Sequence, residues 1–173
     1  MYDREVMYLD KDNTDWALWI VTGNNSEFIS DVQKDWFIPV YTWKEVQAYG
    51  LKPAKKFLKF EPEKFQQTAP LSKYQANPKL IYKFISSSLV FALDKESSYT
   101  LNSANIVIPK IDYPITTILA LFNSKLFNKF FKKKFNSIKV LKNHIQALPL
   151  PIISSELHKE IGQYVEQAVN WDK

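Results

Sequence analysis

The chain has 173 residues, of which 46% are hydrophobic and three are glycine, and its net charge is +5. This composition predicts one packed domain over residues 1–173 rather than a disordered chain. The absence of cysteine excludes disulfides and thiolate metal sites. The sequence also contains no signal peptide and no apolar run of the roughly 18 residues that a membrane span needs.

The first half of the chain is predicted to form short strands. Residues 16–22, 36–43 and 55–60 are rich in the β-branched and aromatic side chains that strands favour. Residues 23–26, with the sequence GNNS, predict a turn. Pro39 predicts that its strand lies at a sheet edge or bends, because proline cannot donate to a central ladder.

The middle of the chain continues this β pattern. Residues 61–76 predict a loop with one helical turn, since two prolines interrupt a polar stretch. Residues 80–85 and 89–93 flank three serines and predict a hairpin. Residues 99–101 and 104–108 are expected to extend the same sheet.

The second half changes to a helical period. A helix is predicted from Thr116 or Thr117 to about Phe135. Several of its polar residues share one arc of about 100°, whereas its aromatic and aliphatic residues lie on the other side. This arc contains Lys125, Asn128, Lys129 and Lys132.

Two more helical elements follow. Residues 139–148 predict a short amphipathic segment. A last helix is expected from Ser154 or Ser155 to about Val169, and its apolar face can be core or a docking face. The fold class we expect is α+β, with a curved mixed β-sheet, helices packed on one side and a helical C-terminal part.

Charge is unevenly distributed along the chain. Residues 64–155 hold 13 lysines and three acidic residues, a net charge of +10. Seven lysines and no acidic residue lie between Asp112 and Glu156. Such a field attracts a phosphate backbone or an anionic membrane surface, but a solvated lysine-rich face has the same composition. Charge alone leaves these interpretations open.

Catalytic motifs are absent from the sequence. His144 and His158 have no carboxylate cluster between them, and no Asp or Glu is followed two residues later by Lys, as metal-dependent nucleases require. There is no Gly-x-Gly to hold a nucleotide or S-adenosylmethionine, and no Asn-Pro-Pro-Tyr or Asp-Pro-Pro-Tyr. We therefore expect that this chain binds rather than catalyses.

Five segments resemble one protein family. They are, in order, residues 20–25 (IVTGNN), 78–83 (PKLIYK), 100–103 (TLNS), 119–126 (LALFNSKL) and 148–152 (LPLPI). Together they resemble the C-terminal specificity domain, or target recognition domain, of TaqI-type adenine-specific DNA methyltransferases. The same domain occurs in fused restriction-modification enzymes.

The resemblance implies a reader of double-stranded DNA and no catalytic residue in this chain. An upstream methyltransferase domain of the same polypeptide would bind S-adenosylmethionine and methylate a flipped adenine. The parent protein would be a cytoplasmic prokaryotic enzyme, with magnesium if it also cleaves DNA. The chain itself would hold no cofactor or metal and would not contact a membrane.

The resemblance and the charge pattern together predict the DNA-contacting residues. The phosphate-binding candidates are Lys79, Lys83, Lys125, Lys129, Lys132, Lys133, Lys139, Lys142 and His144. The base-reading candidates are Thr22, Asn24, Asn25, Tyr82 and Asn128. The residues near the first turn can equally serve an ordinary tight turn, and Tyr82 can equally be core.

Two alternatives from other classes stay open. The chain could be a protein-interaction domain that docks through Trp36, Trp43 and the last helix. It could also be a specificity-subunit fragment of a multi-subunit restriction system, although the long coiled helices of those subunits are not predicted here.

Overall fold

The structure is a computed structural model. It describes the backbone of residues 5–9, 18–22, 25–29, 37–54, 56–59 and 70–170, and the side chains within residues 39–54 and 70–170. The strands in these ranges are β1 (Glu5–Leu9), β2 (Leu18–Thr22), β3 (Asn25–Ile29), β4 (Phe37–Tyr41), β5 (Lys56–Lys59), β6 (Lys79–Lys83), β7 (Phe91–Asp94), β8 (Tyr99–Thr100) and β9 (Ala104–Val107). The helices are α1 (Leu71–Gln75), α2 (Ile115–Asn123), α3 (Lys125–Phe135), α4 (Lys142–Gln146) and α5 (Ser155–Asn170).

The first sheet has six strands in the order β3-β2-β1-β5-β4-β8. All neighbours are antiparallel except β4 and β8, which are parallel, so the sheet is mixed. β2 and β3 form a hairpin in which Thr22 pairs with Asn25. Of the predicted turn, Asn25 and Ser26 therefore lie in β3, whereas its first two residues lie outside the described ranges.

Pro39 is accommodated inside β4. It pairs with Phe57 of β5, and the other neighbour, β8, begins its pairing only at Val40. At Pro39 the strand therefore has one paired neighbour, as at a sheet edge. This position is compatible with a residue that has no N–H to donate.

The second sheet has three antiparallel strands in the order β7-β6-β9, and both of its faces are buried. On one face, Leu80 and Phe91 belong to the core built with α2 and α3. On the other face, Ile81 and Ala92 pack with Tyr41 from the end of β4. Burial on both faces explains why β6 and β7 read as nearly continuous apolar runs.

The predicted single extension of the sheet divides between the two sheets. β9 pairs with β6 and completes the three-stranded sheet. β8 instead pairs with Val40 and Tyr41 of β4, at the end of the six-stranded sheet. The α+β class is confirmed, with a mixed sheet and helices that pack on one face of the second sheet.

The helix predicted over residues 116–135 is two helices. The chain leaves the helical conformation at Ser124, with φ −67° and ψ 151°, and the Ser124 hydroxyl accepts a hydrogen bond from the Phe127 N–H at 3.2 Å. Serine is a favoured N-cap because it satisfies an N–H that has no partner inside the helix. Asn136 ends α3 in the left-handed conformation, at φ 41°.

The last helix follows the prediction closely. Ser154 accepts a hydrogen bond from the Leu157 N–H at 3.3 Å, which caps the start of α5. α5 packs on α2, where Val165 is buried and His158 Nδ1 lies 2.9 Å from Thr117 Oγ1. Tyr164 remains 63% exposed, so the apolar side of α5 is only partly covered by the described residues.

Candidate nucleic-acid interface

The outer face of α3 is a continuous lysine surface. The side chains of Lys125, Lys129, Lys132 and Lys133 are exposed and, with Asn128, line a shallow depression of about 570 Å³. We call these four lysines the α3 lysine face. None of them forms an ion pair with another described residue. A surface of unpaired ammonium groups around a depression suits an anionic backbone.

The amphipathic pattern of α3 orients this face. Phe127 and Phe131 are buried in the core that α3 shares with α2 and the second sheet, so the opposite side of the helix must point outward. Lys125, Lys129 and Lys133 follow one another at intervals of four residues, which places like charges next to each other. A bound polyanion would relieve that repulsion.

Base reading by Asn128 stays a prediction, and the structure gives its side-chain amide a structural role. Its side chain is committed to the backbone of the second sheet: Oδ1 accepts from the Leu89 N–H at 2.7 Å, and Nδ2 donates to the Leu89 carbonyl at 3.2 Å. A third contact of 3.2 Å joins Nδ2 to the Ser124 carbonyl. Asn128 therefore anchors α3 beside the hairpin turn that joins β6 to β7.

Asn123 makes the same kind of contact, which the sequence did not reveal. Its Oδ1 accepts from the Phe91 N–H and its Nδ2 donates to the Phe91 carbonyl, both at 2.9 Å. The sequence does carry a signal, because Asn123 lies one turn after the buried Leu119, on the apolar side of α2. A polar side chain at such a position needs a buried partner.

Lys79 was predicted to contact phosphate, and this prediction is also wrong. Its side chain is 0% exposed, and its ammonium group forms an ion pair with Asp94 at 2.5 Å. It also donates to the backbone carbonyl of Tyr74 at 2.6 Å. Asp94 accepts in turn from the Ser98 N–H at 2.9 Å. Lys79 thus joins α1, β7 and the segment before β8, and no phosphate can reach it.

Lys79, Asp94, Ser98 and Tyr41 form what we call the inner cluster, and burial shifts the pKa values of its Lys79 and Tyr41. Desolvation lowers the pKa of Lys79, and the Asp94 carboxylate opposes that shift. Desolvation also raises the pKa of Tyr41 to about 12, with smaller contributions from Glu96 and Asp94, while a hydrogen bond with Ser98 acts in the opposite direction. These groups are structural, because solvent and ligands cannot contact them.

Tyr82 is a core residue, so its prediction as a base reader is wrong. It is 3% exposed, and its ring stacks on Phe91 with centroids 5.1 Å apart. Burial raises the pKa of Tyr82, while a hydrogen bond from Asn105 to the phenol oxygen opposes the shift. The alternative reading of Tyr82 as core is confirmed.

The other predicted lysines lie at the open end of the second sheet. Lys83 Nζ lies 5.8 Å from the Trp43 ring centroid, and Lys139 Nζ lies 5.9 Å from that of Phe84. Lys142 is exposed at the start of α4. Aromatic faces hold the first two ammonium groups near the surface, where they can still contact phosphate.

His144 is half-buried among aromatic rings. Its imidazole stacks on Phe135, with centroids 4.3 Å apart, and meets the Phe131 ring edge-on. Its Nδ1 accepts from the Leu141 N–H at 3.3 Å, which leaves Nε2 as the nitrogen that could donate to a phosphate. A phosphate contact by His144 stays a prediction.

The residues predicted near the first turn stay predictions as well. Thr22 and Asn25 end β2 and begin β3, but their side chains are not among those that the structure describes. Asn24 and Trp36 lie outside the described residues altogether.

No group of three or more His, Cys, Asp or Glu within the described ranges could hold a metal ion. Among the described helices, none combines the length and the apolar character needed to cross a membrane.

Comparison with known proteins identifies the family. No curated protein matches the chain. Residues 38–150 match the family model of the TaqI-like C-terminal specificity domain. The match begins after β3, so the segment at residues 20–25 lies outside it, whereas the second sheet and helices α1 to α4 lie inside it. The match covers more than half of the chain's 173 residues, and these domains confer DNA sequence specificity on methyltransferases. The chain therefore belongs to the TaqI-like C-terminal specificity domain family.

Proposed function

We propose that this chain binds double-stranded DNA at a specific sequence, as the target recognition domain of an adenine-specific DNA methyltransferase. The family supplies the class of protein, a specificity domain rather than a catalytic one. The α3 lysine face supplies the binding surface. This surface is the observation that carries the proposal.

Charge and geometry support a phosphate-binding role for this face. Its lysines lie in the segment between Asp112 and Glu156, which contains no acidic residue. Each exposed, unpaired lysine that reaches a phosphate releases a condensed counterion, so binding gains a favourable and salt-dependent free energy. These contacts would position the duplex and leave sequence reading to other side chains.

The position of α3 would also bring a duplex bound to its lysines close to the second sheet. Asn128 ties α3 to Leu89, at the end of the turn between β6 and β7. Lys83 and Lys139 lie at the same end of the sheet. Phosphates on both sides of a groove could therefore be held by α3 and by these two lysines, with polar and apolar groups of the turn between them.

In the parent protein, one domain would catalyse methylation and this domain would recognise the DNA sequence. An upstream methyltransferase domain in the same cytoplasmic prokaryotic polypeptide would bind S-adenosylmethionine, which supplies the methyl group for the exocyclic amine of a flipped adenine. The residues of this chain do not fit that cofactor, since the sequence has no Gly-x-Gly. If the parent also cleaves DNA, its magnesium site would lie in another domain.

A salt titration tests the proposal. Binding of the chain to a randomised duplex library is measured by fluorescence anisotropy between 50 and 200 mM salt, for the wild type and for Lys129→Glu/Lys132→Glu. Each lost phosphate contact should make the negative slope of log K, where K is the association constant, against log salt shallower by about 0.9. It should also weaken binding about tenfold near 0.1 M salt. The loss should be similar for every DNA sequence, because these contacts carry no sequence information.

A matched control has the same change in net charge. Lys73→Glu/Lys159→Glu alters two exposed lysines, on α1 and α5, outside the acid-free segment. This control variant should keep most of the wild-type slope of log K against log salt. An unchanged slope in the α3 variant, or equal losses in both variants, would contradict the assignment of the α3 lysine face.

Protein docking is the second candidate, and one observation favours it. Leu157 and Tyr164 on α5 are 44% and 63% exposed, and Trp43 is 43% exposed. If the wild-type chain shows no salt-dependent DNA binding at either salt concentration, docking replaces DNA binding as the preferred function. A methyltransferase domain would clamp the other side of the duplex, so this chain alone should bind DNA more weakly than the parent protein. The titration should therefore include DNA concentrations in the micromolar range and above.

A further inference from the structure

A single β-bridge joins the chain just after β6 to the segment between α3 and α4, and we call the two paired segments, residues 84–86 and 138–140, the ribbon. Residues 84–86 pair with residues 138–140, since the Val140 N–H donates to the Phe84 carbonyl at 2.8 Å and the Ser86 N–H donates to the Ile138 carbonyl at 3.0 Å. Ile85 and Lys139 are bridge partners in this ribbon. The ribbon starts where the buried part of β6 ends and runs into the turn before β7.

The ribbon exposes two isoleucines. Ile138 is 72% exposed and Ile85 is 51% exposed, whereas their neighbour Val140 is fully buried. Because side chains alternate along paired strands, Ile85 lies on the same side of the ribbon as Lys139, and Ile138 lies on the other side. Each side of the ribbon therefore exposes one isoleucine side chain to solvent.

Three lysines lie close to these two isoleucines along the sequence. Lys139 lies within the ribbon, Lys83 precedes it and Lys142 follows it at the start of α4. Along the sequence, the acidic residues closest to residues 138–140 are Asp112 before them and Glu156 after them. Lysine is depleted from the centres of protein–protein interfaces. The lysines near the two isoleucines therefore favour a polyanion over a protein as the binding partner. The occupant must offer phosphates at its rim and an apolar group at its centre.

The ribbon and α3 both adjoin the turn between β6 and β7. Asn128 holds α3 against Leu89, and the turn between Ser86 and Leu89 is the one that the ribbon enters. A duplex whose backbone lies on α3 therefore passes beside the ribbon. The major groove of B-DNA is wide enough to admit a two-stranded β-ribbon.

We propose that this ribbon enters the major groove and that Ile85 and Ile138 recognise the C5-methyl group of thymine. This inference rests on the proposed DNA-binding function. Apart from that methyl group, the atoms that distinguish base edges in the major groove are hydrogen-bond donors and acceptors, which an isoleucine side chain cannot pair. The two isoleucines are thus specificity-determining residues that favour thymine at the positions they touch.

The test removes the methyl group from the DNA and leaves the protein intact. Duplexes selected by the wild-type chain from a randomised library are resynthesised with deoxyuridine in place of each thymidine in turn, and the dissociation constants are compared. At one or two positions, uracil should weaken binding about fourfold, which corresponds to ~0.8 kcal/mol for one buried methyl. At the other positions, uracil and thymine should bind equally.

The protein variants locate the contact. Ile85→Ser and Ile138→Ser should each abolish the thymine preference at one such position while keeping the salt slope. Ile152→Ser is the matched control, since Ile152 is fully exposed on the segment before α5, and it should keep the thymine preference. Ile138→Val, which keeps an apolar group, should retain part of the preference and serves if a serine variant fails to fold.

Three results would overturn the inference. The first is wild-type binding that is indifferent to uracil at every position. The second is a thymine preference that survives in both serine variants. The third is equal weakening of thymine and uracil duplexes by the serine variants together with a sharp bend in the bound DNA, which would indicate an apolar wedge between base steps. Each of these leaves salt-dependent DNA binding in place, whereas loss of that binding in the wild type would overturn the proposed function itself.

Discussion

The inner cluster and the α3 lysine face use the same side chain in opposite ways. Lys79 is 0% exposed and paired with Asp94, whereas the four lysines of α3 are exposed and have no described partner. Both lie in the segment with a net charge of +10. Charge counted along a sequence therefore overstates the field that a ligand meets, because a buried ion pair contributes almost nothing to it.

The two regions should also respond to different solution conditions. The α3 lysines are screened by salt, since they are exposed and have no ion-pair partner among the described residues. The inner cluster is shielded from salt, but burial shifts the pKa values of its Lys79 and Tyr41. Salt should thus change binding, and pH should change stability.

The largest expected effect breaks the inner ion pair. Asp94→Ala leaves the Lys79 ammonium buried without its carboxylate and removes the acceptor of the Ser98 N–H. Removing one partner of a buried pair costs about 3–5 kcal/mol of unfolding free energy. Urea denaturation measures the loss, and Lys132→Ala on α3 should stay within about 0.5 kcal/mol of the wild type. Equal losses in the two variants would remove the distinction between buried and exposed lysines.

The next effect appears at alkaline pH. Tyr41 has a pKa raised to about 12 from 10.0, so the folded state holds its proton where the unfolded state has lost it. The stability that this difference contributes is complete below pH 10 and is lost as the pH rises to 12. Two pKa units correspond to about 3 kcal/mol.

Tyr41→Phe isolates this contribution. Its unfolding free energy should fall less steeply than that of the wild type between pH 10 and 12, whatever its starting value. Tyr82 and Tyr99, whose pKa values are also raised by burial, are common to both proteins and cancel in the comparison. Parallel pH profiles would show that the Tyr41 hydroxyl is accessible to solvent.

A smaller effect separates support from recognition on α3 itself. Asn128→Ala leaves the Leu89 N–H and carbonyl without their side-chain partner, so we expect a loss of about 1–3 kcal/mol in unfolding free energy. Sequence preference should not change, because the oxygen and the nitrogen of the amide are already bonded to the Leu89 backbone. Asn102→Ala, at an exposed turn, is the control and should have little effect on stability. A change in the preferred DNA sequence would restore Asn128 as a base reader.

The smallest effect has the opposite sign. Lys129→Gln removes a like charge between Lys125 and Lys133, each four residues away on α3. Like charges at this spacing destabilise a helix by about 0.2–0.5 kcal/mol per pair, so thermal unfolding should shift slightly upward while DNA binding weakens. A variant that loses both stability and affinity would indicate that Lys129 has a structural partner.

Local patterns predicted much of this fold. The hairpin from β6 to β7 was predicted because two apolar runs flank a serine turn, and α5 because Ser154 and Ser155 precede an amphipathic repeat. The break at Ser124 was missed, since good helix-forming residues lie on both sides of it. Only the cap to the Phe127 N–H reveals the boundary.

The site was predicted less well, because burial depends on distant partners. Lys79 resembles any surface lysine until Asp94 and the Tyr74 carbonyl are brought next to it by β7 and α1. Asn128 lies on the same side of α3 as the lysines, but its side-chain amide is hydrogen-bonded to the Leu89 backbone. The α3 lysine face was predictable from helical period and charge alone, since it needs no partner from elsewhere in the chain.

The amide clamps of Asn123 and Asn128 have a consequence for assembly. β7 is an outer strand of its sheet, and its outward N–H and carbonyl groups at Leu89 and Phe91 are occupied by these two side chains. Tyr49 occupies the next position, donating to the Phe91 carbonyl and accepting from the Leu93 N–H. A peptide or a second copy of the chain cannot add a strand at β7 by β-augmentation. Any neighbour that docks along this strand must bind through side chains.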